Sequence, residues 1–153
     1  MSIRAYTIFS EYGRADSNGS MDTLVGVFPA VVFLDPVQAA QGFAIPFFTF
    51  TKIEIDRDDP VPKLVKLQLT MNGDLIAENP IDQALLNSEF ERVKSKEFDL
   101  PTAQFVSRIS LMPLLVKSLP TELIVHVYCD SNEIIAGRMF FRAASRQNNF
   151  QAS

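Results

Sequence analysis

The stretch Ile3-Arg4-Ala5-Tyr6-Thr7-Ile8-Phe9-Ser10, the tract Asp16-Ser17-Asn18-Gly19-Ser20 and the run Met21-Asp22-Thr23-Leu24-Val25-Gly26-Val27-Phe28 decide how this chain is built. The first is rich in residues that suit a pleated surface, with Ile3, Ala5, Thr7 and Phe9 on one side. Asn and Gly accept positive φ at little cost, so the tract at 16–20 is a place for reversal. Strand-like residues resume at Met21 and are apolar on both sides. The spacing predicts a long antiparallel hairpin in the middle of a sheet. Gly26 then marks a bulge or a close backbone approach.

A length of 153 residues fits one domain able to bury a core of its own. The 47% apolar content argues for a globular chain. A net charge of −4 disfavours nucleic acid and anionic membrane as partners, since both need clustered Lys and Arg. The single cysteine, Cys129, excludes an intrachain disulfide and fits a reducing, cytoplasmic setting. The N-terminus shows no apolar run followed by a small-residue cleavage site, so no signal peptide is expected. No window reaches the roughly 20 apolar residues of a spanning helix.

Outward from the hairpin, Pro29 to Phe33 finishes the second strand or turns off it. Leu34 to Ile45 reads as a loop with room for one helical turn. In Phe47 to Asp56, Phe48 and Phe50 share a face, and Ile53 with Ile55 take the other. One extra residue near Thr51, a bulge, would produce that switch. Val65, Leu67, Leu69 and Met71 then alternate with Lys66, Gln68 and Thr70, ending at Asn72-Gly73, a strong hairpin-turn signal. Ile81 to Lys96 fits a helix through Leu86, Phe90 and Val93, and fits an edge strand equally well.

Ala103 to Val116 reads as a strand with Phe105, Ile109 and Leu111 inward, bent at Pro113. Thr121 to Asp130 sets Leu123, Val125, Val127 and Cys129 against Glu122, His126 and Tyr128. The return strand to Arg142 places Ile135, Met139 and Phe141 together. The fold class is therefore all-β: an antiparallel β-sandwich, jelly-roll or Ig/C2-like, of about eight strands. One short helix near 81–95 is allowed. Residues 1–145 form the single domain and 146–153 a polar C-terminal tail.

Certain of these patterns occur together elsewhere. Asn18-Gly19 leading into Leu24-Val25-Gly26-Val27-Phe28, then Leu119-Pro120, the strand Leu123 to Tyr128 and its return Ile135 to Phe141, form the set. On them the chain resembles a family of small uncharacterised bacterial and phage-associated β-sandwich proteins, a domain of unknown function. The resemblance covers both ends, about half of the chain. It departs at Pro120-Thr121, where Pro-Gly is usual, and at the charged segment 81–98. It implies a sandwich fold and carries over no catalytic residue.

The residues available for chemistry are few. His126 is the only histidine, which excludes a multi-His zinc site and leaves one candidate base, beside Glu122 on the wet face. Cys129 stands three residues on, so in a strand it faces the other way and reads as a small core residue. Asp56, Asp58 and Asp59 share one loop and are the calcium candidates, although Arg57 stands among them; a solvated turn explains them as well. Phe47, Phe48 and Phe50 lie in the most apolar run; they are either core or, if exposed, interface candidates. No GxGxxG, phosphate-loop, GxSxG or HExxH motif is present. No catalytic or cofactor-binding residue is assigned and no cofactor is expected.

The leading expectation is a non-enzymatic interaction or assembly module that self-associates or binds a protein partner, with no nucleic acid and no membrane. The alternatives are a sandwich that binds a small molecule, glycan or calcium, and an enzyme with an unrecognised site.

Overall fold

The computed structural model describes residues 1–15 and 22–145. The expected turn at 16–20 and the tail 146–153 lie outside the described residues. Among the described residues nine strands and two short helices follow in the order β1 (Ile3–Ala15), β2 (Asp22–Val27), β3 (Val31–Leu34), α1 (Pro36–Ala40), β4 (Phe43–Asp56), β5 (Val65–Met71), β6 (Asp74–Pro80), α2 (Gln83–Lys94), β7 (Thr102–Val116), β8 (Thr121–Cys129) and β9 (Asn132–Ala143). They form a four-stranded sheet, β2-β1-β4-β7, and a five-stranded sheet, β3-β9-β8-β5-β6. One hydrophobic core spans both, with Phe47, Ile53 and Ile55 from the first sheet and Leu67, Val125 and Phe141 from the second.

Alternation explains most of this. β5 buries Val65, Leu67 and Leu69, and β8 buries Leu123, Val125, Val127 and Cys129, as their period of two requires. Asn72 and Gly73 both take positive φ (51° and 86°), the geometry that closes a two-residue hairpin. The ninth strand is β3. It leaves the first sheet after Pro29 and pairs in parallel with β9, so the sandwich is antiparallel except for this pair.

The segment left open between helix and strand is a helix. Asp82 caps it by accepting a hydrogen bond from the Ala84 amide at 3.1 Å, and Leu86, Phe90 and Val93 form its buried stripe. The apolar stripe fixed the outcome, because it gave α2 something to pack on: the Phe90 ring lies 6.4 Å from that of Phe105.

Three expectations about faces are corrected. In β4 the register runs unbroken from Phe47 to Asp56, and the irregularity sits between Ile45 and Phe47 instead of near Thr51. Pro46 has no amide proton for the ladder, and Met112-Pro113 stands opposite it, so pairing breaks there. Phe47, Thr49, Thr51, Ile53 and Ile55 consequently all face inward, two of them as buried threonines. In β9 a register shift opposite Val125 and His126 turns Ile135 outward while Ala136, Met139 and Phe141 face the core. Finally, β2 is an edge strand and only β1 is interior.

The hairpin also bends over its own sheet. The β1–β4 register ends where Ser10 meets Phe48. Beyond it, Gly26 takes the left-handed φ of +67°, and a Cβ there would lie 2.9 Å from the Glu11 carboxyl carbon. Gly13 then rests on the Phe48 ring, so closely that a Cβ would fall 2.2 Å from Cε1. Asp22 receives both Nε (2.8 Å) and Nη2 (2.6 Å) of Arg108, which stands on β7 across from Phe50. Both contacts are made to outward-facing residues. The far half of the hairpin is thus an arm laid across the outer face of β4, toward β7, held by a bidentate ion pair.

The two inward threonines differ. The Thr51 and Thr7 hydroxyls hydrogen-bond at 2.8 Å, whereas Thr49 Oγ1 is buried with no partner among the described residues. An unpaired buried hydroxyl costs about 1–3 kcal/mol. Thr49→Val keeps the shape and removes that group, so urea unfolding should show a gain of about 1 kcal/mol. A loss of stability would show that the hydroxyl has a partner.

Candidate functional site

The outer face of the five-stranded sheet carries the lone histidine. Gln68 on β5 stands across from His126, and Glu133 on β9 stands across from Tyr128. His126 Nδ1 lies 2.7 Å from Glu133 Oε1, and Nε2 lies 3.1 Å from Thr70 Oγ1. Tyr128 donates to the same Glu133 oxygen at 3.3 Å, and its ring stacks near that of His126, centroids 6.2 Å apart. Burial, then the Glu133 charge and hydrogen bond, push the Tyr128 phenol above its ordinary value. Lys66 Nζ lies 5.5 Å from the centre of the Tyr128 ring.

Thr70, His126 and Glu133 have the connectivity of a hydroxyl, a base and an orienting carboxylate. Catalysis also needs a cleft and a donor aimed at a developing oxyanion. Here the three residues lie on the outer face of a sheet, its central strands' amides are engaged in the ladder, and none of the three lines any of the larger grooves. The cluster is therefore a hydrogen-bonded surface network. Thr70 escaped sequence reading because it is 56 positions from His126. Glu122 is on the same face but four residues from His126, across from Phe140, and is not part of this hydrogen-bonded cluster.

Cys129 is buried on the opposite face, and burial raises its thiol to about 11, far from a reactive thiolate. Asp56, Asp58 and Asp59 do not converge. Asp56 accepts from the Asp58 amide at 2.9 Å, Asp59 from the Ser2 amide at 2.7 Å, and Asp58 lies 3.9 Å from Arg57. Arg57 itself turns to Asp99 and the Leu100 carbonyl. Among the described residues no group of three or more Asp, Glu, His or Cys side chains could hold a metal ion.

The interface candidates separate by burial. Phe47 is fully buried between the sheets, and Phe48 is buried beneath the hairpin arm. Phe50 alone keeps surface, beside Arg108. Neither Phe47 nor Phe48 has a face to offer a partner. The apolar surface lies elsewhere: Val25 and Val27, 55% and 59% exposed, stand on the β2 edge, and Tyr12, 47% exposed, lies directly across from Val25.

A groove of about 430 Å³, not foreseen in the sequence, runs between α2 and the free edge of β7. Leu85 and Val106 give it apolar walls, and Asp82 and Glu89 are its ionisable lining residues. Desolvation acts to raise the Glu89 carboxyl, but hydrogen bonds from Arg92 and from the Gln104 amide, with the Arg92 charge, hold it below its ordinary range. The signal for this groove was divided between Asn79-Pro80, α2 and β7, segments that only the fold brings together.

No family model, curated protein or solved structure matches this chain.

Proposed function

We propose that the chain is a non-enzymatic β-sandwich that works by binding a protein surface, in the first instance a second copy of itself. The exposed apolar strip of Val25, Val27 and Tyr12 on an edge strand carries this reading. An edge strand offers unpaired main-chain groups, and natural edges are usually blunted with charge or proline. β2 shows neither at Val25 to Val27. The acidic balance speaks against nucleic acid, no helix among the described residues is long and apolar enough to cross a membrane, and the single buried cysteine fits a reducing compartment.

Light scattering on eluting protein, over a range of concentrations, tests this. The wild-type mass should rise with concentration, and the Val25→Lys, Val27→Lys double variant should stay monomeric with an unchanged unfolding midpoint. A wild-type chain that is monomeric at every concentration would remove self-association through β2.

A further inference from the structure

The β7 edge differs from β2 in having outward main-chain groups occupied on either side of Val106, at Gln104 and Arg108. Gln104, Val106 and Arg108 point their main-chain groups away from β4, because the Gln104 amide donates to Glu89 Oε1 at 3.1 Å and the Arg108 carbonyl accepts from Asn79 Nδ2 at 3.4 Å. Val106 lies between those two caps. It shares their orientation, and among the described residues nothing bonds to its N–H or C=O on this side. An edge peptide with one free donor and one free acceptor, at the floor of a walled groove, is what an added strand pairs with. Leu85, 60% exposed, and Val106, 40% exposed, flank the position where such a strand would place an apolar side chain. The ionisable lining residues, Asp82 and Glu89, are both acidic.

We propose that this groove binds a short extended peptide, paired through its main chain to Val106 and carrying an apolar residue next to a Lys or Arg. The two caps set the length: they leave room for one full hydrogen-bonded pair and block the ladder from propagating. Glu89 is already paired with Arg92 at 2.8 Å, so the Asp82 carboxylate, which has no cationic partner among the described residues, is the charge that favours a basic segment over an acidic one. The inference rests on the reading that the chain binds rather than catalyses, but it uses the side of the four-stranded sheet opposite to β2.

The probe is a set of capped hexapeptides alternating Val, Ile or Thr with Lys, and a matching set with Glu, titrated into the nitrogen-labelled full chain and followed by amide shifts. Lys peptides should move the amides of 104–108 and 85–89 and slow exchange of the Val106 amide. Glu peptides should bind at least tenfold more weakly. Leu85→Lys, a change at an exposed helix position, should weaken binding at least tenfold without altering the unfolding midpoint. Val106→Pro should abolish it, because that N–H faces away from the β4 ladder. Val25→Lys should leave peptide binding unchanged while affecting only self-association. Lys peptides that shift β2 instead of β7 would overturn the groove and leave the binding reading standing. Absence of any peptide binding, in a chain that still self-associates, would show that Glu89 and Asn79 merely protect the edge. Failure of both would sink the two readings together.

Discussion

Phe47→Ala is expected to destabilise the folded chain by about 3–5 kcal/mol, the range for truncating a buried phenyl ring. The ring is fully buried, 5.8 Å from Phe9 and 6.0 Å from Phe28, and Phe28 in turn meets Phe141 at 6.5 Å. Phe47 therefore joins the hairpin, β4 and the opposite sheet in one aromatic column. Removing it leaves a cavity between sheets that cannot easily close, since both are held by their own ladders. Domain stabilities are about 5–15 kcal/mol, so the change removes a large share, and the melting point should fall by roughly 10 °C. Denaturant unfolding measures it directly. A loss under about 1 kcal/mol would mean that the ring is not packed as described.

Gly137→Ala should have the second-largest effect, a loss of about 1–3 kcal/mol from overpacking. A Cβ at Gly137 would stand 2.9 Å from Thr7 Cβ and 3.1 Å from the Phe9 ring. Thr7 Cβ is attached directly to the β1 backbone, so it cannot swing aside as a long side chain could. The sheets would have to part where β1 meets β9. Unfolding of the variant in urea, with amide exchange at β1 and β9, should show lower stability and faster opening at that seam. Unchanged exchange and stability would mean that the seam is looser than the distances show.

Much of the architecture was legible, and the reason is visible in β5 and β8. Strict alternation from Val65 to Met71 and from Leu123 to Cys129 needs no tertiary knowledge to assign faces. The errors cluster where a register shift intervenes. Ile135 was grouped with Met139 because nothing local reveals an extra residue opposite His126. A switch of face near Thr51 was expected in β4, yet Thr49 and Thr51 are buried in phase with Ile53 and Ile55. The two threonines made a continuous phase look like a switch. β3 was missed as a strand because its only partner, β9, lies at the other end of the chain.

The candidate sites were less legible. The acidic loop and His126 were visible as residue types, but what each touches was not. The groove beside α2 could not be seen at all. Its decisive feature is a main-chain orientation at Val106, and orientation leaves no mark on residue identity.

The pairing of β3 with β9 constrains how the polypeptide comes off the ribosome. Val31 emerges early, yet its neighbour Phe140 is among the last described residues to be made. The five-stranded layer cannot be completed until β9 has been made, so β3 waits unpaired while the 109 positions from Val31 to Phe140 are added. Such distant closure slows folding and leaves an unpaired margin open to wrong pairings in the interval.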